Sequence, residues 1–192
     1  QPQPQHQYGT AAASAPFQTM ANSQMPEEAA AIHAGLGELA ACVQKDGTEL
    51  MIASMRLTSL PMQGYPESLT RIDASNNMLT SVPDTLCDLC PELMALDVSR
   101  NKLSGSLPAE LSLCPDLASV RIERNVFTSL DFCVHSPLPS LIELNADRNQ
   151  ITQVPEALWA CPKLKHVSLC GNKLTSASLR MPPSGSVGGA PL

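Results

Sequence analysis

Apolar and polar positions alternate along this chain in a pattern that restarts about every two dozen residues. Five asparagines, Asn77, Asn101, Asn125, Asn149 and Asn172, mark the restarts at spacings of 24, 24, 24 and 23 residues. Positions eight, five and three before each asparagine, and two after it, hold Leu69, Ile72, Ala74, Leu79; Leu93, Leu96, Val98, Leu103; Leu117, Val120, Ile122, Phe127; Leu141, Leu144, Ala146, Ile151; and Leu164, Val167, Leu169, Leu174. All are apolar. The period-two stretch in each unit, such as Leu96-Asp97-Val98, predicts a short strand with Leu and Val inward and Asp outward. A unit this short cannot build its own core, so the repeat predicts stacked coils that bury their apolar residues against each other.

These residues resemble the leucine-rich repeat, L-x-x-L-x-L-x-x-N-x-L, followed by an apolar-Pro pair at Leu60-Pro61, Val82-Pro83, Leu107-Pro108 and Val154-Pro155. The resemblance runs from about residue 47 to 177 and is similar to the intracellular class with short 22–24-residue L-P-type repeats. A degenerate first unit is legible as Leu50, Ile52, Leu57 and Leu60, with Met55 where asparagine is expected. The resemblance implies an α/β solenoid: a curved array of about six coils, with a short parallel β-sheet on the concave face and irregular or 3-10 segments on the convex side. It implies further that the asparagines stack as a ladder, bonding backbone groups where the chain leaves each strand.

The return segments repeat as well. Cys90-Pro91, Cys114-Pro115 and Cys161-Pro162 share a register in which Leu138-Pro139 also stands. A slot that accepts Cys or Leu reads as a small buried apolar site. Four regions follow: an arm over 1–26 rich in Gln, Pro and Ala and expected to be disordered, a capping helix over 27–46, repeats over 47–178, and a flexible tail over 179–192. The helix is expected because Glu27 and Glu28 suit a helix N-terminus and Ala30, Ile32, Leu36, Leu39, Ala40 and Val43 supply an apolar face. After the sixth coil no comparable cap is legible, so Leu179 and the tail, a partner, or further chain are equal candidates to cover it.

Composition narrows the function. A net charge of -6 gives no basic field for nucleic acid, and aromatics make up only 3%. No apolar run approaches the length that spans a bilayer, and Gln1 to Met20 lacks the blocks of a secretory signal. The first residue is Gln rather than Met, which is expected of a processed, trimmed or partial chain. Seven cysteines, an odd number, and no Asn-x-Ser/Thr sequon favour a reducing intracellular setting, with the cytoplasm expected.

Candidate chemistry lies on the outward strand positions at six, four, two and one before each asparagine. The partner-binding candidates there are Arg71, Asp73, Asp97, Arg100, Arg121, Glu123, Arg124, Glu143, Asn145, Asp147, Arg148 and His166. Arg100, Arg124 and Arg148 form one column, suited to bidentate contacts with carboxylates. Neutralisation between neighbouring rungs is the competing reading. Cys87-x-x-Cys90 and Cys133-x-His135 have zinc-like spacing, but repeat register makes these cysteines buried thiols; no metal and no cofactor are expected. Cys170 and His166 lack an orienting group for a nucleophilic pair. Asp131 stands where other units carry proline, so a local bulge is expected there, and Trp159 either packs on a neighbouring coil or stands exposed.

The expected function is a non-enzymatic protein-protein interaction module or scaffold binding a partner through the concave face. A structural subunit of a large assembly, cytoskeletal or ribosome-like, is the alternative. An extracellular recognition domain is a remoter one, because Ser99 to Pro108 resembles a plant receptor-type repeat with G-x-L-P.

Overall fold

The computed structural model describes residues 42–44, 47–60, 64–134, 137–176 and 178. Strands β1 (Val43–Gln44), β2 (Glu49–Met51), β3 (Arg71–Asp73), β4 (Ala95–Asp97), β6 (Ser119–Arg121), β8 (Glu143–Asn145) and β9 (His166–Ser168) form one sheet in that order. From β2 onward every pairing is parallel, with Leu50, Ile72, Leu96, Val120, Leu144 and Val167 in one cross-sheet row. One inward residue per coil therefore meets its counterpart in the next, as the period-two pattern requires. A second parallel pair, β5 (Ser104–Gly105) with β7 (Val126–Phe127), forms where the third coil carries its G-x-L-P segment.

On the convex side the coils return through a short helix α1 (Leu86–Leu89), 3-10 turns at Ala109–Leu113 and Asp131–Cys133, and a helix α2 (Glu156–Trp159). Where a bulge was expected at Asp131, the structure has the second of these 3-10 turns, which buries Phe132 and Cys133. Cys90, Cys114, Leu138 and Cys161 are all buried, in agreement with their shared register. Trp159 packs against the core.

The asparagine ladder is continuous. In its middle, Asn125 Nδ2 donates to Val98 O at 3.0 Å and Ile122 O at 3.1 Å, while Oδ1 accepts from Leu103 N–H at 3.0 Å. Asn77, Asn101, Asn149 and Asn172 repeat the pattern, each accepting an N–H from the preceding coil. Asn77 also accepts from Met55 N–H, so the first coil, which has no asparagine of its own, is held from its neighbour.

Two expectations are corrected. The end of the span expected to be helical, Val43–Gln44, is a strand antiparallel to β2; residues up to 41 lie outside the described residues, as do the arm and the tail from 179. Gly47, two residues before β2, has φ +92°, a conformation glycine adopts without steric cost. With Cys42 and Val43 packed on it, the first coil buries Leu50 and Ile52 fully. At the other end Leu164, Val167, Leu169 and Leu174 are only partly buried. The second correction concerns Cys87 and Cys114. They are not free thiols but a disulfide joining α1 to the turn of the next coil, with Cα atoms 5.4 Å apart. Counting an odd cysteine total cannot reveal which two residues adjacent coils bring together.

Candidate protein-binding surface

The outward sides of the strands make a continuous surface whose geometry is set by the backbone at each strand's end. Asn76, Arg100, Arg124 and Arg148 have φ of 56°, 54°, 56° and 55°, and Gly171 has 73°. At this position the chain turns so that the next asparagine enters the ladder. Asn and Gly take the left-handed conformation readily; a side chain such as arginine does so at a cost of roughly 1–2 kcal/mol. Three successive coils nevertheless carry arginine.

Most of the other predicted charges are engaged locally. Asp73 and Asp97 each accept the N–H two residues on, from Ser75 and Ser99, at 3.0 Å, and Asn145 does the same with Asp147 N–H at 3.1 Å. These side-chain turns finish the strands. The fourth coil has Arg121 at that position, and its guanidinium pairs with Glu143 at 3.2 Å in the neutralisation between rungs. Asp147 Oδ1 accepts from Ser168 Oγ and from Cys170 N–H, both at 2.7 Å, and so ties down the last coil. Arg71 lies on β3 in register with Glu49, and His166 is exposed on β9. Ser99, an outward position by pattern, is buried.

Glu123 is different. Its Oε2 is buried and has no hydrogen-bond partner. Burial pushes its carboxyl above the ordinary glutamate range; its own backbone N–H opposes this, Asp97 and Asp147 reinforce it, and Arg121 opposes it. The folded state thus ionises Glu123 less readily than the unfolded chain, so its charge subtracts stability above the unfolded pKa, and protonation restores that stability as pH falls. Glu123→Gln is expected to raise the melting temperature at pH 7, with the gain shrinking as pH is lowered through the glutamate range. A gain unchanged by pH would show that charge is not the cause.

That leaves the arginine column. Arg100, Arg124 and Arg148 are exposed, and among the described residues no hydrogen bond or ion pair engages their guanidinium groups. Among the described residues, too, no cluster of His, Cys, Asp or Glu could hold a metal ion, and no helix is long and apolar enough to cross a membrane. No hydrogen bond joins His166 to Cys170, whose N–H is taken by Asp147. His135 lies outside the described residues. The Asp-x-Ser turns were legible in sequence as Asp73-Ala74-Ser75 and Asp97-Val98-Ser99. The unpartnered Glu123 oxygen was not, because it depends on what neighbouring rungs place around it.

A family model described as Leucine Rich Repeat matches residues 68–89 and 92–114. The coils are leucine-rich repeats. Among solved structures, this leucine-rich-repeat array is similar to Toll in the Drosophila Toll–Spatzle complex (29% identity, TM-score 0.57), covering 67% of this chain and 17% of that one. It is similar also to YopM from Yersinia enterocolitica (31% identity, TM-score 0.59), covering 73% of this chain and 28% of that one. A third likeness is to the BIR2 ectodomain from Arabidopsis thaliana (27% identity, TM-score 0.55), with 68% and 70% covered. The chain therefore spans under a third of the first two. No curated protein sequence matches it closely enough to carry an argument.

Proposed function

We propose that the leucine-rich-repeat array is a non-enzymatic protein-protein interaction module that holds an acidic segment of a partner on its concave face. The observation that carries this reading is the arginine column: Arg100, Arg124 and Arg148 keep a backbone conformation that favours Asn or Gly, and their charges are left unengaged within the array. Adjacent parallel strands lie roughly 4.8 Å apart, so the column presents evenly spaced forks to carboxylates. Such pairs contribute little while exposed and more once a partner excludes water. That Toll was solved in complex with Spatzle supports partner binding as a use of this fold.

Replacing the three arginines together with asparagine tests the reading, because asparagine suits the left-handed backbone. The full chain carrying R100N/R124N/R148N is expected to fold at least as stably as the parent. In affinity purification with mass spectrometry it should lose the parent's main partner, whose affinity falls on the order of 100-fold for three charge-assisted contacts. Retention of that partner at unchanged affinity would refute the arginine role.

The disulfide and the β5–β7 pair favour a second reading, an extracellular recognition domain, since disulfides persist in oxidising compartments. A cytoplasmic scaffold requires Cys87 and Cys114 to be reduced in the cell. Acid-quenched alkylation of the native protein separates the two: a closed bond supports the extracellular reading, and two capped thiols support the cytoplasmic one.

A further inference from the structure

We propose that the outer edge of β9 is a strand-addition site, where an extended, acidic segment of a partner pairs as the next rung of the sheet. β9 ends the sheet, and among the described residues no strand lies on its far side. The repeated backbone bonds show which groups this leaves open. Ile122 and Ala146 donate their N–H groups to the next coil, to Asn145 O and Ser168 O, both at 2.8 Å. Arg124 and Arg148 do the same with Asp147 O at 2.8 Å and Cys170 O at 2.7 Å. In the sixth coil these positions are Leu169 and Gly171, whose N–H groups have no partner among the described residues. Lys165 O is open too, although Ile142 O, its counterpart one coil earlier, accepts two N–H groups from the sixth coil. A row of open donors and acceptors in fixed register is a template for another strand.

Side chains and charge select the occupant. Leu144 and Ala146 are fully buried, whereas Val167 and Leu169, which repeat them, are only partly covered, so an apolar residue on the incoming strand completes the row. Every acidic residue of the chain lies at or before Glu156, and beyond it stand Lys163, Lys165, Lys173 and Arg180. Lys163, Lys165, His166 and Lys173 are exposed around β9, and Lys163 and Lys173 reach back only to the neutral Ser140 Oγ and Gln150 Oε1, at 3.4 and 2.9 Å. A second copy joined edge to edge by a two-fold axis would set these cations against each other. Head-to-tail stacking is blocked, because β1 occupies the edge of the first coil. Residues 179–192 hold Arg180 and no acidic residue, so they do not supply the complementary charge either. An acidic partner segment meets both demands.

The inference goes beyond the concave-face reading, since the arginine column has no member in the sixth coil. The probe is a heptapeptide of alternating glutamate and valine, blocked at both ends and added to the full chain while amide hydrogen exchange is followed by NMR. In the free chain the Leu169 and Gly171 amides are expected to exchange fast, unlike those of Ala146 and Arg148. At a peptide concentration about ten times its Kd, exchange at Leu169 and Gly171 should slow roughly tenfold, because it proceeds from the unbound fraction. A peptide with lysine in place of glutamate should give no slowing, nor should the acidic peptide N-methylated at every residue, which has no backbone donors.

Reversing the exposed charges in K163E/K165E/K173E should transfer the protection to the lysine peptide. The R100N/R124N/R148N chain keeps β9 and its lysines, so the acidic peptide should still protect the same two amides there; loss of that protection would assign the effect to the arginine column and overturn the edge site. Slow exchange of Leu169 and Gly171 in the free chain would mean that the chain covers its own edge, and slowing that grows with protein concentration would mean a second copy. Either result overturns the proposal, as does an equal effect, or none, from the acidic and lysine peptides. The parent chain with the three peptides decides this should the charge-reversed variant fail to fold.

Discussion

Replacing Asn125 with alanine is expected to destabilise the array by about 3–5 kcal/mol, measured by urea unfolding followed by circular dichroism. The side chain is buried, and its removal leaves the Leu103 N–H without a partner and takes one hydrogen bond each from the Val98 and Ile122 carbonyls, which Asn101 and Asn149 still serve. A buried group left unpaired costs roughly 1–3 kcal/mol and each further hydrogen bond lost about 0.5–1.5 kcal/mol, reduced where water can enter. Those groups belong to two coils, so the loss falls on the interface that holds the stack together. Asn172→Ala is the comparison. That side chain makes the same bonds at the partly covered last coil, where water can replace it, and the expected loss is about 1–2 kcal/mol. Equal and small effects at both sites would mean that the ladder is ornamental.

Phe127→Ala should cost a similar amount, about 3–5 kcal/mol. Phe127 is 1% exposed and fills the position two after the asparagine, where the other coils carry Leu or Ile. Alanine there leaves a cavity between coils that stack rigidly through their ladder bonds and can collapse only in part. Phe127→Leu restores the volume most coils use and should cost less than about 1.5 kcal/mol. Because a repeat array transmits stability only through neighbours, the alanine lesion should also broaden unfolding or split it into two transitions, on either side of the fourth coil. Two sharp, coincident transitions for parent and variant would remove Phe127 from the core.

The fold was legible because its instruction is repeated. Leu96, Val120 and Leu144 recur at a fixed distance from Asn101, Asn125 and Asn149, so a backbone path that buries one row buries all of them. The N-terminal end was misread for the complementary reason: Val43 belongs to no repeat, and an apolar face suiting a helix suits an edge strand as well. The helix was read from Glu27 and Glu28 and from an apolar face ending at Val43, which left the glycine at position 47 unweighed.

The candidate surface was half legible. Strand alternation assigned the outward columns, including Arg100, Arg124 and Arg148. It did not separate the charges already spent, such as Asp97 on Ser99 N–H or Arg121 on Glu143, from those left open. That separation depends on distances between rungs, which no single rung encodes.

The sequence by itself determined the coil, its length, its inward rows and its asparagine ladder, since these need only local periodicity and the demand that backbone groups be paired. Only the tertiary structure decided that Cys87 meets Cys114, that β1 closes the first coil, and that Glu123 lies with one oxygen unpartnered among acidic neighbours. Each of these is a contact between residues remote in the chain, and it exists only once stacking has fixed which side chains face one another.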